Sequence, residues 1–396
     1  MTAALNPITA VVHPNPYPYY AALVATKPIY YDATLGLWVA SSAEAIDAIF
    51  RNRLCRVRPI AEPIPKALLG SPAADIFRQL VRMNDGADHC PFKQAISATL
   101  ASVDLVEAHE QSNRWARVLA ARYVIDDAPE PLANFAFRLP VYVLGSLLGI
   151  PDAMLEQAAL WIGDFVACLA PASSAEQIAR GKQAAAHLRD AFGSLLSAQQ
   201  SQSSAGLLAT LAREARQIGR EDTDSIIANG IGFLSQAYEA SAGLIGNTLL
   251  ALASHADARD AVIAHPSYLD NAIQETLRYD PPIQNTRRFL AQDGVVAGQE
   301  MQAGATILLV LAAANHDPQA NRSPADFDLW RKNRRSFSFG VGAHACPGQA
   351  LVPIIAKAGV AQLLAADIWS QPGSYVTYRP SANARVPLLV KRDAGR

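Results

Sequence analysis

The sequence predicts a mainly α (α+β) fold, with a large helical body and a small β-rich region. Helical periodicity of the apolar residues dominates from Ala73 to Ala264. Short runs rich in β-branched and aromatic residues, which favour strands, lie outside that stretch: Ile29–Tyr31, Leu37–Ala40, Thr306–Val310 and Val386–Val390. We expect the strands to be contributed from both ends of the chain.

Three breaks divide the helical stretch. Two contain proline, at Pro129-Glu130-Pro131 and at Pro151-Asp152. The third is the polar stretch from Gln199 to Ser204, which we interpret as a surface loop.

The chain of 396 residues is long enough to bury a large core, and we expect a single domain over 1–396. Its predicted helical part covers about 73–280 and 346–366. Its predicted β-rich part covers about 1–60, 285–310 and 375–396.

Composition excludes several classes of protein. Apolar residues make up 51% of the chain, charged residues make up 17%, and the net charge is −1. This balance gives no general attraction to nucleic acid or to an anionic membrane. The stretch up to Tyr31 is broken by Pro7, Pro14, Pro16 and Pro18, and it holds no apolar run near the roughly 20 residues that span a bilayer. The four cysteines show no zinc-type spacing, and no secretory signal is visible, so we expect a cytoplasmic protein without disulfides. We also expect a monomer.

The most informative segment is FGVGAHACPG at 339–348, which places one cysteine in a glycine-rich loop ahead of a predicted helix. Phe339, Gly342, Cys346 and Gly348 match the pattern FxxGxxxCxG, and the chain thereby resembles the cytochrome P-450 superfamily of haem-thiolate monooxygenases. A thiolate pushes electron density onto haem iron, and a helix N-terminus stabilises a thiolate. Pro347 directly follows the cysteine, and proline is favoured at the first position of a helix, where its missing N–H costs nothing. We therefore expect Pro347 to be the first helical residue.

The resemblance implies a cytochrome P-450-like fold over nearly the whole chain and haem b (iron protoporphyrin IX) as cofactor. It makes Cys346 the iron ligand, with Phe339, Gly340 and Gly348 beside the haem. It also assigns His89, Lys93, Arg288 and His344 to the two haem propionates, because buried carboxylates need cationic or hydrogen-bonding partners. Arg287 is a close rival of Arg288, and Lys93 stands where the family commonly has arginine.

Glu275-Thr276-Leu277-Arg278 matches the family's ExxR motif, and residues three apart share a helix face. In the family this pair fixes its helix to the cysteine loop, often with a third arginine. Asp326 stands at that arginine's usual position, and Arg322 or Arg331 are the possible substitutes.

The long apolar helix around Gly230 to Leu252 contains Gln236-Ala237-Tyr238-Glu239-Ala240-Ser241. The family has AGx(D/E)T there, and its acid and hydroxyl relay protons to the oxygen site. Here Glu239 keeps the acid, Ala240 replaces the threonine, and Ser241 carries a hydroxyl one residue later. We expect Glu239 to deliver protons, while an alternative is a glutamate that points toward water or a neighbouring arginine. The substrate contacts implied are Gln236, Ala237, Ile283 and Gln284.

The resemblance implies a monooxygenase that acts on a small, largely apolar, oxygen-bearing substrate. Secondary metabolism is one setting for such a reaction. No flavin-binding or iron–sulfur segment occurs in the sequence, so electrons from NAD(P)H must come through a separate ferredoxin and ferredoxin reductase. Lys332, Arg334 and Arg335 form either a docking face for the ferredoxin or a solvated loop. The missing threonine leaves two alternatives open: a haem protein that binds a ligand or carrier-bound substrate without oxygen insertion, and a peroxide-driven enzyme.

Overall fold

Helices dominate the computed structural model, which describes residues 5–125, 130–202, 206–366 and 374–391. Fourteen α-helices occur in these ranges. In chain order they are α1 Tyr17–Thr26, α2 Ala43–Arg51, α3 Pro72–Gln79, α4 Cys90–Ala101, α5 Leu105–Ala120, α6 Pro131–Leu148, α7 Leu155–Cys168, α8 Ala175–Gln202, α9 Leu207–Gln217, α10 Thr223–Ser254, α11 Ala256–Ala264, α12 Leu269–Tyr279, α13 Leu311–Asn315 and α14 Leu351–Ala365.

Nine short strands complete the described part of the chain. They are β1 Ile29–Asp32, β2 Leu37–Ala40, β3 Cys55–Arg56, β4 Thr286–Leu290, β5 Gly294–Val296, β6 Gln299–Met301, β7 Thr306–Leu309, β8 Ser374–Tyr378 and β9 Pro387–Lys391. The main sheet has the order β1-β2-β7-β4-β3, in which only β2 and β7 pair in parallel. Two separate hairpins, β5-β6 and β8-β9, flank it. The mainly α fold with small sheets is therefore confirmed.

The main sheet is buried on both faces, and β7 shows why. Side chains alternate across a strand, so Ile307 and Leu309 lie on one face and Leu308 on the other. The first two pack in a cluster with Ile46 of α2. Leu308 packs on the opposite side with Tyr20 of α1. The predicted β-rich N-terminal part thus contains two helices, which cover the two faces of its sheet.

Helix α10 passes through the largest hydrophobic cluster and carries residues 236–241 of the predicted site. Its first turn is capped by Asp222, whose side chain accepts a hydrogen bond from the Ser225 amide. Gly243 lets the chain at the β8-β9 hairpin approach closely, because a Cβ there would lie 2.7 Å from the Arg385 carbonyl oxygen. This close packing fixes the hairpin against the middle of α10.

The prediction of a surface loop from Gln199 to Ser204 is wrong for its first residues. Helix α8 continues to Gln202, while residues 203–205 lie outside the described residues. Gln199 is buried, donates to the Leu148 carbonyl at 2.7 Å and accepts from the Ala209 amide at 2.9 Å. Its side chain thus ties α6, α8 and α9 together, which a polar composition alone does not reveal.

The other two predicted breaks fall between helices. A short 3₁₀ turn, Asp152–Met154, separates α6 from α7. The break at Pro129–Pro131 lies partly outside the described residues. Residues 1–4 and 392–396, at the two ends of the predicted β-rich part, lie wholly outside them. Within the described ranges, no helix is both long enough and apolar enough to cross a membrane.

Candidate active site

The cysteine loop between β7 and α14 is closed by backbone hydrogen bonds. The Cys346 amide donates to the Phe339 carbonyl at 2.8 Å. Gly340 and Gly342 have φ angles of 66° and 75°, the left-handed region that favours glycine. The loop therefore turns twice before the cysteine, and Phe339 packs against the main core.

The environment of Cys346 acts on its thiol in two directions. Burial raises the pKa of Cys346, while the Gly348 amide, which donates a hydrogen bond to it, and the charge of Lys93 lower that pKa. Lys93 Nζ donates to the carbonyl oxygen of Ala345 at 2.6 Å. The thiol therefore has a backbone donor on one side and a cation close to its loop.

The prediction that Pro347 begins the following helix is wrong. Residues 347–350 form a turn, and α14 begins at Leu351. The carbonyl of Gly348 accepts hydrogen bonds from the amides of both Leu351 and Val352, at 3.0 and 3.1 Å. This turn satisfies the backbone groups locally, so the helical pattern starts four residues later than the proline position suggests.

Glu275 and Arg278 form a fully buried ion pair on α12, with 2.6 Å between Arg278 Nη2 and Glu275 Oε1. Two further arginines complete the network. Arg331 Nε lies 2.9 Å from Glu275 Oε1, and Arg334 Nε lies 2.8 Å from Oε2. Burial alone raises the pKa of Glu275, but the three arginines outweigh it and hold that pKa below its usual value.

The position of Asp326 is explained by its backbone. Its carbonyl oxygen accepts hydrogen bonds from Arg278 at 2.8 Å and from Arg331 at 3.0 Å. Arg322 contributes its carbonyl, which accepts from Arg331 at 2.5 Å, rather than its side chain. Of the two substitutes considered from the sequence, Arg331 therefore supplies the third charge.

Arg334 does not belong to a docking face. Its side chain is 17% exposed and is turned inward to Glu275. Arg335 is half exposed and lies 3.7 Å from Asp47. Lys332 is exposed. The three residues predicted as one basic surface thus point in different directions, because Glu275 holds one of them.

Three of the residues assigned to the propionates cluster near the start of α4. The His89 and His344 rings are 4.2 Å apart, and His344 Nε2 lies 3.1 Å from Asp85 Oδ1. Burial, together with His344 and Lys93, lowers the pKa of His89 to about 4. Lys93 follows one turn later on the same helix, in contact with the cysteine loop.

Arg288 enters from β4. It is buried, donates to the Arg287 carbonyl at 2.8 Å and lies over the Phe50 ring at 5.0 Å. Within the described residues it makes no ion pair. Burial lowers the pKa of Arg288, while the charge of Asp85 raises it. Arg288 therefore lies on the same side of the site as Asp85.

Helix α10 forms the other side. Gln236 is exposed, while Glu239 and Ala240 are partly exposed although the helix runs through the core. Ala237 and Ser241 are buried, and Ser241 Oγ has no hydrogen-bond partner among the described residues. One face of the helix therefore presents residues 236, 239 and 240 to a space in the interior, and Ser241 is turned away from it.

Glu239 faces an arginine. Arg379 Nη1 lies 3.7 Å from Glu239 Oε1, which is the alternative environment considered from the sequence. Burial raises the pKa of Glu239, and the charges of Arg379 and Arg82 oppose that effect. Gln236 is held along the helix, since its amide nitrogen donates to the Gly232 carbonyl at 2.9 Å.

Of the two substrate contacts placed after α12, only one is accessible. Ile283 is partly buried and bridges to Ala384 of the hairpin. Gln284 is fully buried, and its amide nitrogen donates to the Pro281 carbonyl at 2.7 Å. The prediction of Gln284 as a substrate contact is therefore wrong, because its side chain turns back into the core.

Sequence reasoning missed Arg82 and Arg379, the two arginines that act on Glu239. No motif marks either residue. The signal available was a basic residue within an otherwise apolar stretch, as in Leu80-Val81-Arg82-Met83, and such residues usually lie at the surface.

Known proteins resemble this chain in sequence and in structure. A family model described as cytochrome P450 matches residues 197–369, which include Glu275, Arg278 and Cys346. The biotin biosynthesis cytochrome P450 of Bacillus subtilis (strain 168) is 25% identical over 374 residues, 92% of each chain. The cytochrome P450 monooxygenase PikC of Streptomyces venezuelae is 29% identical over 402 residues, covering 96% of this chain and 93% of the relative. The crystal structure of CalO2 matches with a TM-score of 0.83 and 25% identity over 100% of both chains.

Lys93 contacts the Cys346 loop, and His344 of that loop lies against the buried His89. The family model, the relatives and the solved structure together support a bacterial-type cytochrome P450, and relatives such as PikC are named monooxygenases, oxidoreductases that incorporate oxygen. Haem iron is the cofactor of this family.

The residues present fit that group. His89 Nε2 is buried without a hydrogen-bond partner among the described residues, an arrangement that costs free energy unless a ligand completes it. Arg288 is buried and makes no ion pair within the described residues, although the charge of Asp85 acts on it. Cys346 offers a thiol from a loop that keeps part of its surface accessible. Carboxylates of the haem would satisfy the first two groups, and its iron would take the third.

Proposed function

We propose that this monooxygenase uses haem b to hydroxylate, or otherwise oxidatively modify, a small and largely apolar substrate that carries an oxygen function, in secondary metabolism. A single catalytic domain over 1–396 supplies all the residues of the site. Cys346 holds the iron, and His89, Lys93, Arg288 and His344 hold the propionates. When bound, the haem supplies the electron-transfer chemistry that activates dioxygen.

The observation that carries the proposal is the position of Glu239 next to Ala240 on the accessible face of α10. Burial raises the pKa of Glu239, so this carboxyl group holds a proton more readily than one in water. Ala240 stands where the resembled family has threonine, so the space of that hydroxyl is left open. A hydroxyl or carboxyl group on the substrate, or a water bound beside it, fills that space and passes the proton onward.

Electrons come from NAD(P)H through a separate ferredoxin and ferredoxin reductase in the cytoplasm. Lys332 and Arg335 are exposed on the segment before the cysteine loop and are the basic residues that remain for an acidic ferredoxin. Arg335 already has Asp47 as a neighbour, so Lys332 carries most of this contact.

The second candidate is binding of a ligand or carrier-bound substrate without oxygen insertion. It is favoured by Ser241, whose buried hydroxyl does not replace the missing threonine. One solved structure of this fold, P450BioI, contains a fatty acid ligated to an acyl carrier protein. A peroxide-driven reaction is the third candidate.

Reconstitution separates these candidates. The haem-loaded protein is mixed with NADPH, a ferredoxin reductase and a ferredoxin, and spin-state shifts of the haem spectrum identify binding compounds. We expect a binding compound to stimulate NADPH consumption and to yield a product with one added oxygen atom or an equivalent oxidation. Binding without turnover supports the second candidate, and product formed with peroxide alone supports the third.

A further inference from the structure

Two arginines face one carboxylate on the α10 side of the site. Arg379 forms a long ion pair with Glu239, at 3.7 Å, and Arg82 is the second cation whose charge acts on Glu239. Among the residues that the structure describes, these two cations therefore share one carboxylate, which leaves one excess positive charge. The group of residues around His89 and Arg288 is separate, because the charge that acts on Arg82 is that of Glu239 and not that of Asp85.

Arg82 is held in place by its backbone. It lies in the 3₁₀ turn Val81–Met83, and the Val81 amide donates to Asn229 Oδ1 at 2.9 Å. Asn229 Nδ2 in turn donates to the Gln79 carbonyl at 2.9 Å. This reciprocal contact fixes the turn on α10, two to three helical turns before Glu239.

The side chain of Arg82 is exposed in the described structure. The surrounding protein nevertheless lowers its pKa by desolvation, and the charge of Glu239 opposes that effect. The guanidinium group is therefore partly desolvated and still open to contact from a ligand. Within the described residues, no hydrogen bond or ion pair holds its guanidinium group. By contrast, the buried Arg385 donates to Asp280 and to three backbone carbonyls.

Arg379 connects the same place to the surface. It follows β8, lies over the Phe137 ring at 4.8 Å, and lines an open cleft of about 320 Å³ together with Tyr238. The other two arginines of that cleft have close partners. Arg138 lies 2.9 Å from Glu156, and Arg180 lies 2.5 Å from Glu176. These two cations have close carboxylate partners, whereas the only carboxylate near Arg379 among the described residues is Glu239 at 3.7 Å, with Tyr238 as a neutral hydrogen-bond partner.

A desolvated cation without a partner costs free energy, and an anionic ligand relieves that cost. We propose that the natural substrate carries a carboxylate, which Arg82 and Arg379 bind beside Glu239. The single excess charge matches a monoanion, and a guanidinium fork matches the geometry of a carboxylate. This inference rests on the proposed function and narrows its substrate class to apolar carboxylic acids.

Spectral titration of the haem-loaded protein tests the inference. The probes are two matched pairs, dodecanoate with dodecan-1-ol and 4-cyclohexylbutanoate with 4-cyclohexylbutan-1-ol, and the readout is the spin-state shift of the haem. We expect the acid of at least one pair to bind more tightly than its alcohol. Arg82→Gln should weaken binding of that acid about 10- to 100-fold and leave the alcohol unchanged. Arg379→Gln should act in the same direction, and Arg82→Lys should keep part of the preference.

Arg78→Gln and Arg180→Gln are the matched controls. Arg78 lies on the same segment as Arg82 but is exposed and lies 3.6 Å from Asp75, and Arg180 lines the cleft with partners of its own. Both controls should keep the preference for acids. Absence of that preference in the natural protein for both pairs, or its full retention in Arg82→Gln, overturns the inference.

Failure of the inference and failure of the proposed function give different results. An enzyme that prefers alcohols but couples NADPH consumption to oxygenated product keeps the proposed function and loses the carboxylate assignment. An enzyme that binds the acids through Arg82 but forms no oxidised product keeps the binding assignment and loses the proposed monooxygenation of its ligand.

Discussion

Arg331 donates a hydrogen bond to Glu275, with 2.9 Å between its Nε and the Oε1 to which Arg278 also donates. Three arginines therefore converge on one fully buried carboxylate, since Arg334 binds its second oxygen. The segment 322–335, which leads to the cysteine loop, is held to α12 by this charge cluster. The pair on α12 thus acts on the position of Cys346 through the chain between them.

Removal of Glu275 should prevent assembly of the holoprotein. Glu275→Ala leaves three arginines facing a buried site, and breaking a buried pair costs about 3–5 kcal/mol in the free energy of unfolding. We expect little or no haem-loaded protein, measured as the ratio of Soret to protein absorbance. Glu176→Ala, which breaks an exposed pair with Arg180, is the control and should leave loading unchanged. A stable, fully loaded Glu275→Ala variant would show that the network is not needed.

Arg331 and Arg322 should differ in their contribution to stability. Arg331→Ala removes a charged hydrogen bond to Glu275 and three to backbone carbonyls, so we expect a loss of about 2–4 kcal/mol in the free energy of unfolding in urea. Arg322→Ala keeps the carbonyl that accepts from Arg331 and should cost less than 1 kcal/mol, a rough expectation for a surface change. Equal losses in the two variants would contradict the role given to Arg331.

Acid should weaken the same network. The folded protein holds the pKa of Glu275 below its usual value of 4.5, so the unfolded chain takes up the proton first as the pH falls. The contribution of Glu275 is fully present above about pH 4.5 and is lost as the pH falls through the folded-state pKa. Urea unfolding measured from pH 7 to pH 3 should show this decline, and Glu275→Gln, which cannot titrate, should show a shallower one. An identical slope in the variant would assign the decline to other carboxylates.

The sequence predicted local features better than distant ones. The strands at 29–31, 37–40, 306–310 and 386–390 match the structure to within one or two residues, because each carries its own apolar and β-branched pattern. Glu275 and Arg278 are predicted as a pair because they match ExxR at the expected distance before Cys346, whereas their three-residue spacing alone is common on solvated helix faces. The start of α14 was misplaced, because the hydrogen bonds of the Gly348 carbonyl, not the proline, decide it.

The directions of several arginine side chains could not be predicted from the sequence, because they depend on the paths of the loops. Arg331, Arg334 and Arg335 are close in sequence and identical in charge, and only the path of 322–335 turns one of them outward. Arg82 lies in a short turn, and only the contact with Asn229 places it over α10. Contacts between residues more than a hundred positions apart follow from packing rather than from local pattern.

The identity of the iron ligand has a direct spectroscopic test. Cys346 is the cysteine whose loop meets the cationic cluster, so Cys346→Ala and Cys346→His should lose the red-shifted Soret band of the reduced carbon-monoxide complex. Cys168→Ala is the matched control, because Cys168 is buried on α7, where its thiol donates to the Phe165 carbonyl. It should keep the band. Retention of the band in the Cys346 variants would refute thiolate ligation by this residue.

The missing threonine gives a last prediction, about the route of the proton. Ser241 is buried, turned away from the accessible face of α10 and without a hydrogen-bond partner among the described residues. Ser241→Ala should therefore change the ratio of product formed to NADPH consumed by less than about twofold, since it removes no hydrogen bond. Glu239→Gln cannot release a proton and should lower that ratio strongly, with peroxide appearing in place of product. A substrate analogue without its polar oxygen group should uncouple the natural enzyme in the same way, because Ala240 offers no hydroxyl to replace it. Tight coupling on a plain hydrocarbon, or a severe defect in Ser241→Ala, would place the proton route through the protein side chain instead of the substrate.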